Sequence, residues 1–445
     1  MYKYELIAED IENKIMNLEY QQGERLPSLL ELKNRYHCSK ATVLKCYELL
    51  IDKHLIYSKH QSGYYVADYA MKPTSLNRGY ALDTGNPVIS KTSLIDAKHC
   101  LSMAIDHSSE SSLNMSLEGI DSLRSILPDF LSDLGLYVKK ENIYLIQGIT
   151  QMLSFLSVHS FPNHKDSILI EEPTYSYYID FLKSLNIPTL TIKRDENGID
   201  LNELERLFKE KSIKFFYTIP RNHNPLGTVL DTKTRKKIAE LAIKYDVYIV
   251  EDDYFGHCSS TPKYLPIYYY SSGKNCIYLT SFSKTIPYIR IGICVIHDSF
   301  HETLKKIIHQ SYYFSYQLPS LVSQATFESY VRSSLYQKQV QRLNQLLKQH
   351  YKIIRKVSRQ WDSNIVSIIG GTSGYYMSLK INKNISLETL EKELSKHEIT
   401  IARNERCFYN ISHFNHTIRL SIARVTPSQL EEALSHIYQV LTDIA

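Results

Sequence analysis

The 445-residue chain has no run of 18 apolar residues, so no segment of it is long enough to span a bilayer as a helix. Its start, Met1-Tyr2-Lys3-Tyr4-Glu5, lacks the apolar stretch of a secretory signal. Cysteine is sparse and odd in number, seven residues with no Cys-x-x-Cys pair. That spacing argues against a disulfide framework or a zinc site and for the reducing cytoplasm. Glycine and proline are few (15 and 14), tryptophan occurs once, and no repeat or low-complexity tract is visible. These absences exclude collagenous and disordered chains. Neither sign of charge dominates, and a net of +5 identifies no partner by itself. What remains is an ordinary globular composition, 43% hydrophobic and 22% charged, with length for more than one core.

Two regions follow different patterns. In the first 66 residues, Leu6, Ile7, Ile11, Ile15 and Leu18 recur at helical spacing. Gly23 breaks that run, and Ser28, after Leu26-Pro27, is placed to cap a second helix reaching about Tyr36. His37-Cys38 forms a short turn, and Ser39 caps a third helix to about Leu50. Ser58 to Val66 holds two short extended pieces around Gly63. Helix, helix, tight turn, helix and β-wing is the layout of a winged helix-turn-helix. Charge is unevenly spread over it: residues 1–31 carry three bases and seven acids, residues 32–66 six bases and two acids. The positive charge falls on the turn, the third helix and the wing, where DNA phosphates would lie. Charge alone leaves a merely solvated lysine face open as the alternative.

Residues 67–82 read as a short linker. From Asp83 onward, short apolar runs recur at Ile143–Ile146, Ile168–Ile170, Ile213–Ile219, Val247–Val250, Cys276–Leu279 and Ile291–Ile296, most of them separated by helical segments. That alternation predicts an α/β domain with a mostly parallel sheet and helices on both faces. A long helical stretch follows Ser299, and residues 361–445 return to an α+β pattern.

Four motifs close successive runs. Ser281-Phe282-Ser283-Lys284 follows one strand, with Arg290 six residues beyond Lys284. A lysine beside hydroxyls and an arginine suits a phosphate-bearing carbonyl compound, because desolvation and nearby positive charge lower the amine pKa and make it a nucleophile. Val250-Glu251-Asp252-Asp253-Tyr254 ends the preceding strand and puts a carboxylate where it can pair with a protonated pyridine nitrogen. Asn224, in Asn222-His223-Asn224-Pro225-Leu226-Gly227, is held out of helical geometry by the following proline. Gln147-Gly148-Ile149-Thr150 joins a strand to a helix whose first N–H groups suit an anion. Singly, each also reads as a capped strand end, a turn or a helix start; the four in this order are improbable by chance.

With these motifs, segment 83–445 resembles the fold-type I aminotransferases that use pyridoxal 5′-phosphate (PLP), divided into a large part at about 83–300 and a small C-terminal part at about 340–445. Residues 1–66 resemble the GntR-type winged helix, on Gly23-Glu24-Arg25-Leu26-Pro27-Ser28, Ser39-Lys40-Ala41-Thr42-Val43 and Ser62-Gly63-Tyr64-Tyr65-Val66. Together the chain resembles a MocR-type regulator. The resemblance implies that Lys284 forms the internal aldimine and that Asp252 faces the pyridine nitrogen. It implies that Tyr254 and Asn224 bind the ring oxygen and that Tyr175, in Glu172-Pro173-Thr174-Tyr175, stacks on the ring. Ile149, Thr150, Ser281, Ser283 and Arg290 would hold the phosphate. Arg419, in Thr417-Ile418-Arg419-Leu420-Ser421, would pair with an α-carboxylate, for which a planar fork is suited; a surface ion pair is its plain alternative. On the DNA side it implies contacts from Arg25, Ser28, Ser39, Lys40, Thr42, Lys45, Gly63 and Tyr64.

The resemblance further implies double-stranded operator DNA, a small amine, an amino acid or PLP as effector, and a domain-swapped homodimer with one DNA head per half-site. A catalytically active aminotransferase with an accessory DNA head is the alternative, and a PLP-sequestering scaffold without DNA recognition is a third reading. Four positions depart from the family pattern. Leu30 stands where many relatives carry a DNA-contacting arginine. Lys40 replaces the usual arginine of the recognition helix, which disfavours bidentate guanine readout. The Lys284–Arg290 segment is one residue short, and Asn114-Met115-Ser116 lacks a tyrosine that many relatives lend to the partner's phosphate.

Overall fold

The computed structural model describes residues 2–17, 19–21, 23–53, 55–59, 62–67, 79–87, 90–106, 116–258, 264–312 and 318–445. The chain divides into two units, Met1–Arg78 and Gly79–Ala445.

In the first unit, α1 (Lys3–Met16), α2 (Leu29–Arg35) and α3 (Lys40–Asp52) precede a hairpin of β1 (Ile56–Lys59) and β2 (Gly63–Val66). Ile7, Ile11 and Ile15 are buried against Val43, Cys46, Tyr47 and Leu50. Leu6, expected on the same stripe, is 53% exposed. The stripe steps by four through Ile7, and the adjacent position is rotated by about 100°. Leu18 lies outside the described residues, as do residues 60 and 61 of the hairpin tip. Ser28 accepts from the Glu31 N–H at 3.3 Å while Glu31 accepts from the Ser28 N–H at 2.5 Å, a reciprocal capping box. Ser39 Oγ accepts from the Thr42 N–H at 3.1 Å. Replacing Ser39 by alanine should cost this unit about 1 kcal/mol, read as a lower urea midpoint of its helical signal.

The second unit opens with β3 (Tyr80–Ala81), α4 (Lys91–Asp106) and α5 (Asp121–Ser132). Alternating elements follow: β4 (Ile143–Ile146), α6 (Ile149–Val158), β5 (Ser167–Glu172), α7 (Ser176–Ser184), β6 (Thr189–Asp195), β7 (Gly198–Ile199), α8 (Leu201–Glu210) and β8 (Ile213–Thr218). The pattern continues with α9 (Thr232–Lys244), β9 (Tyr248–Asp252), α10 (Ile267–Tyr270), β10 (Cys276–Ser281) and β11 (Gly292–Val295). Then come α11 (His301–Tyr312), α12 (Leu321–Arg332) and the long α13 (Leu335–Ser358). The C-terminal part holds β12 (Val366–Gly370), β13 (Tyr376–Ile381), α14 (Leu387–Lys396), β14 (Ile399–Thr400), β15 (Ala402–Arg403), β16 (Thr417–Ser421) and α15 (Pro427–Ile444).

The large sheet runs in the order β4-β11-β10-β9-β8-β5-β6-β7. Its centre, from β10 through β9, β8 and β5 to β6, is parallel, and antiparallel pairs occur only towards the two edges. Strands β4, β8 and β9 are buried along their whole length, as a sheet covered on both faces requires. Strand β6, next to the short edge strand β7, escaped the sequence reading because its residues are mostly half-exposed and form no continuous apolar run. The C-terminal sheet, β12-β13-β16-β15, is antiparallel. Tyr80–Ala81, read as linker from sequence, instead pairs in parallel with Ile399–Thr400, and Leu82 is fully buried beside it. Among the described residues no helix is long and apolar enough to cross a membrane.

Candidate functional site

The parallel strands of the large sheet end on one side, and the chain segments leaving those ends carry the motif residues. This is where open α/β sheets place ligands. Asp252 is the last residue of β9 and Ser281 the last of β10. Asn224 lies beyond β8, Ile149 begins α6, Tyr175 is the N-cap of α7, and Arg419 comes from β16 of the C-terminal sheet. Together with Thr150, Tyr254, Ser283, Lys284 and Arg290, these residues line one cavity of about 670 Å³. The shortened Lys284–Arg290 segment still brings Arg290 to the cavity wall. Residues 114 and 115 of the expected missing-tyrosine stretch lie outside the described residues.

Burial, then the Arg419 and Arg290 guanidinium groups, push the Lys284 amine down to about 8. Its Nζ donates to Asn86 Oδ1 at 3.0 Å. Burial pushes the Asp252 carboxyl up to about 7, against the opposing hydrogen bond from the Tyr217 hydroxyl at 2.7 Å. Asp252 also accepts from the Tyr254 N–H at 3.1 Å and enters no ion pair among the described residues. The Tyr254 hydroxyl donates to the Asn222 carbonyl at 2.6 Å. Arg419 donates to Asn224 Oδ1 at 3.1 Å and to the Asp83 carbonyl at 2.6 Å, with its guanidinium 4.8 Å from the Tyr376 ring centroid. Its Nε is buried without a hydrogen-bond partner. At the anion end stand the first N–H groups of α6 and the paired hydroxyls Ser281 and Ser283, 3.2 Å apart.

This set fits PLP. A buried acid without a cation suits a protonated ring nitrogen, an amine with a lowered pKa suits a carbonyl carbon, and hydroxyls, a helix start and Arg290 suit a phosphate. The sequence reading missed Asn86, Asp83 and Tyr376, which also face the cavity. A Cβ on Gly85 would collide with the Tyr376 hydroxyl, so the glycine lets this segment pass close to β13. In the sequence, Gly85-Asn86-Pro87 looks like any turn.

In the first unit, Arg25, Ser28, Lys40, Gly63 and Tyr64 line a groove of about 490 Å³, joined by Leu30 and Lys33, which the sequence had not placed among DNA contacts. Ser39 and Thr42 do not line it; their hydroxyls are 2.8 Å apart, a cap pair at the start of α3. Lys45 is turned toward α1, its Nζ 6.0 Å from the Tyr4 ring centroid. Lys33 and Lys40 are exposed point charges. Replacing either by alanine should lower the slope of log affinity against log salt by about 1 on any duplex, measured by anisotropy across a salt series.

Residues 3–66 match the family of bacterial regulatory proteins of the gntR type, and residues 81–437 match aminotransferase class I and II. The "Uncharacterized HTH-type transcriptional regulator YcxD" of Bacillus subtilis (strain 168) is 30% identical over 448 residues, spanning 98% of each chain. The HTH-type transcriptional regulator NorG of Staphylococcus aureus (strain USA300) is 26% identical, covering 93% of this chain and 98% of its own. Among solved structures, an archaeal alanine:glyoxylate aminotransferase shares the fold with a TM-score of 0.73 at 20% identity, covering 94% of this chain and 96% of its own. A winged helix ahead of an aminotransferase-type body, matched end to end by such regulators, places the chain in the MocR-type family of helix-turn-helix transcriptional regulators.

Proposed function

We propose that the regulator binds PLP at Lys284 and adjusts its grip on duplex operator DNA in response to a primary amine, an amino acid or PLP itself. The observation that carries this reading is one cavity holding a lysine amine near 8, a buried acid without a cation, and an arginine fork. Bound there, PLP supplies an electrophilic carbonyl and an electron-withdrawing ring. The chain's own residues do the rest. Lys284 presents a nucleophilic amine. Asp252 meets the ring nitrogen, Tyr254 and Asn224 hold the ring oxygen, and Tyr175 covers a ring face. Ile149, Thr150, Ser281, Ser283 and Arg290 hold the phosphate. Arg419 takes an effector carboxylate with two parallel N–H donors. Two copies, each offering one winged helix, suit an operator with two half-sites. The test is anisotropy of labelled operator duplex with the full chain, PLP and a panel of amino acids. At least one amino acid should shift operator affinity by about fivefold or more, and only when PLP is present. A flat response to the panel, to simple primary amines and to PLP itself would remove the sensing role and leave a DNA-binding protein.

A further inference from the structure

The groove in the first unit contains a side chain that phosphate binding does not need. Leu30, on α2, is 64% exposed in a groove that also holds the cations Arg25, Lys33 and Lys40. The neighbouring Leu32 is fully buried, so the unit's core does not use Leu30. Of the three cations, the two lysines are point charges suited to phosphates rather than to paired base acceptors. The Arg25 guanidinium lies over Gly63, close enough that a Cβ there would meet its Nε at 3.2 Å. That leaves an apolar side chain as the outward group of this groove without a structural task. On base edges in the major groove, the thymine C5 methyl is the apolar feature.

We propose that Leu30 is a specificity-determining residue that reads a thymine by contact with its C5 methyl group. The inference rests on the DNA-binding reading of this groove and goes beyond it, because it names the base and the contacted atom. The test uses the full chain and the duplex it enriches from a randomised pool. Each thymine is replaced in turn by deoxyuridine, which removes only the methyl. One position per half-site should weaken binding by about fourfold, the worth of one buried carbon of this size. The ratio between the two duplexes should stay constant as salt rises, although both affinities fall. Leu30→Ala should bind the two equally, and because the side chain is exposed its loss opens no cavity. Leu30→Lys should bind all duplexes more tightly at low salt, with the same indifference to the methyl. Uniform tolerance of deoxyuridine, or a methyl effect that survives Leu30→Ala, overturns the inference while leaving DNA binding intact. Enrichment of no duplex at all would sink the DNA reading and this inference with it.

Discussion

Lys284→Ala is expected to abolish the visible absorption band that the full chain should develop on adding PLP, and borohydride reduction of the wild type should leave a pyridoxyl group on the Lys284 peptide alone. This is the largest effect expected at the cavity, because among the described residues that line it Lys284 is the only amine. Lys214 is the internal control. Burial likewise pushes its amine down to about 8, but that amine is spent on the carbonyls of Ser157 and His159, at 2.6 and 3.1 Å. A label on Lys214 instead would overturn the assignment. The pH dependence has a definite sign. With the Lys284 amine near 8, the rate of PLP attachment rises from about pH 6.5 and levels off above about pH 9, whereas an ordinary lysine would keep gaining to pH 10 or so. Between the depressed value and the usual one, the unfolded chain holds the extra proton. The same group therefore makes the PLP-free protein more stable as pH rises through that window.

Arg194→Met is expected to cost about 3–5 kcal/mol in stability, because it strands a carboxylate in the core. Both Arg194 and Glu171 side chains are fully buried, with Nη1 donating to Oε1 at 2.7 Å. Glu171 also accepts from the Thr218 hydroxyl and the Ile219 N–H, both at 3.0 Å, and faces His223 Nε2 at 3.3 Å. Arg194 reaches on to the Thr228 hydroxyl at 3.1 Å. Burial pushes the Glu171 carboxyl up; Arg194 and His223 more than offset this and leave it below its usual range. Without the arginine, the upward push of burial is opposed only by His223 and the Ile219 N–H. The variant should then lose its stabilising partner at neutral pH and recover relative stability as pH falls and the carboxyl takes a proton. The single tryptophan, Trp361, stacks on Tyr438 in the second unit and reports its unfolding in urea. Adding Glu171→Gln should recover much of the loss, since no buried charge then remains. The network brackets the segment carrying Asn224, so the single variant should also bind PLP more weakly; full stability with unchanged PLP affinity would count against this account.

Much of the layout was legible from the chain because the signals are local. Ser28 and Ser39 announce helices since a cap bonds N–H groups only three residues away. The apolar runs announce buried strands since a covered parallel sheet needs apolar residues on both faces. The lysine, acid, asparagine and helix-start motifs each sit at a strand end, and their order could be read without knowing where those ends meet. Other features had no local signal. Asn86 reaches Lys284 across 198 positions and Arg419 reaches Asn224 across 195. Arg194 carries no local signal of its role, because only strand order lays β6 against β5 and brings it to Glu171. The end of the linker was hidden because Tyr80–Ala81 becomes a strand only when Ile399–Thr400 lies beside it. Leu6 was misplaced because periodicity gives a helix its stripe, while the packing partner decides which neighbouring residues stay outside it. Sequence thus determined the elements and the chemistry at their ends, through forces acting over a few residues. Only the tertiary structure decided which distant side chains share a cavity, because that depends on strand order and on the packing of the C-terminal part against the sheet.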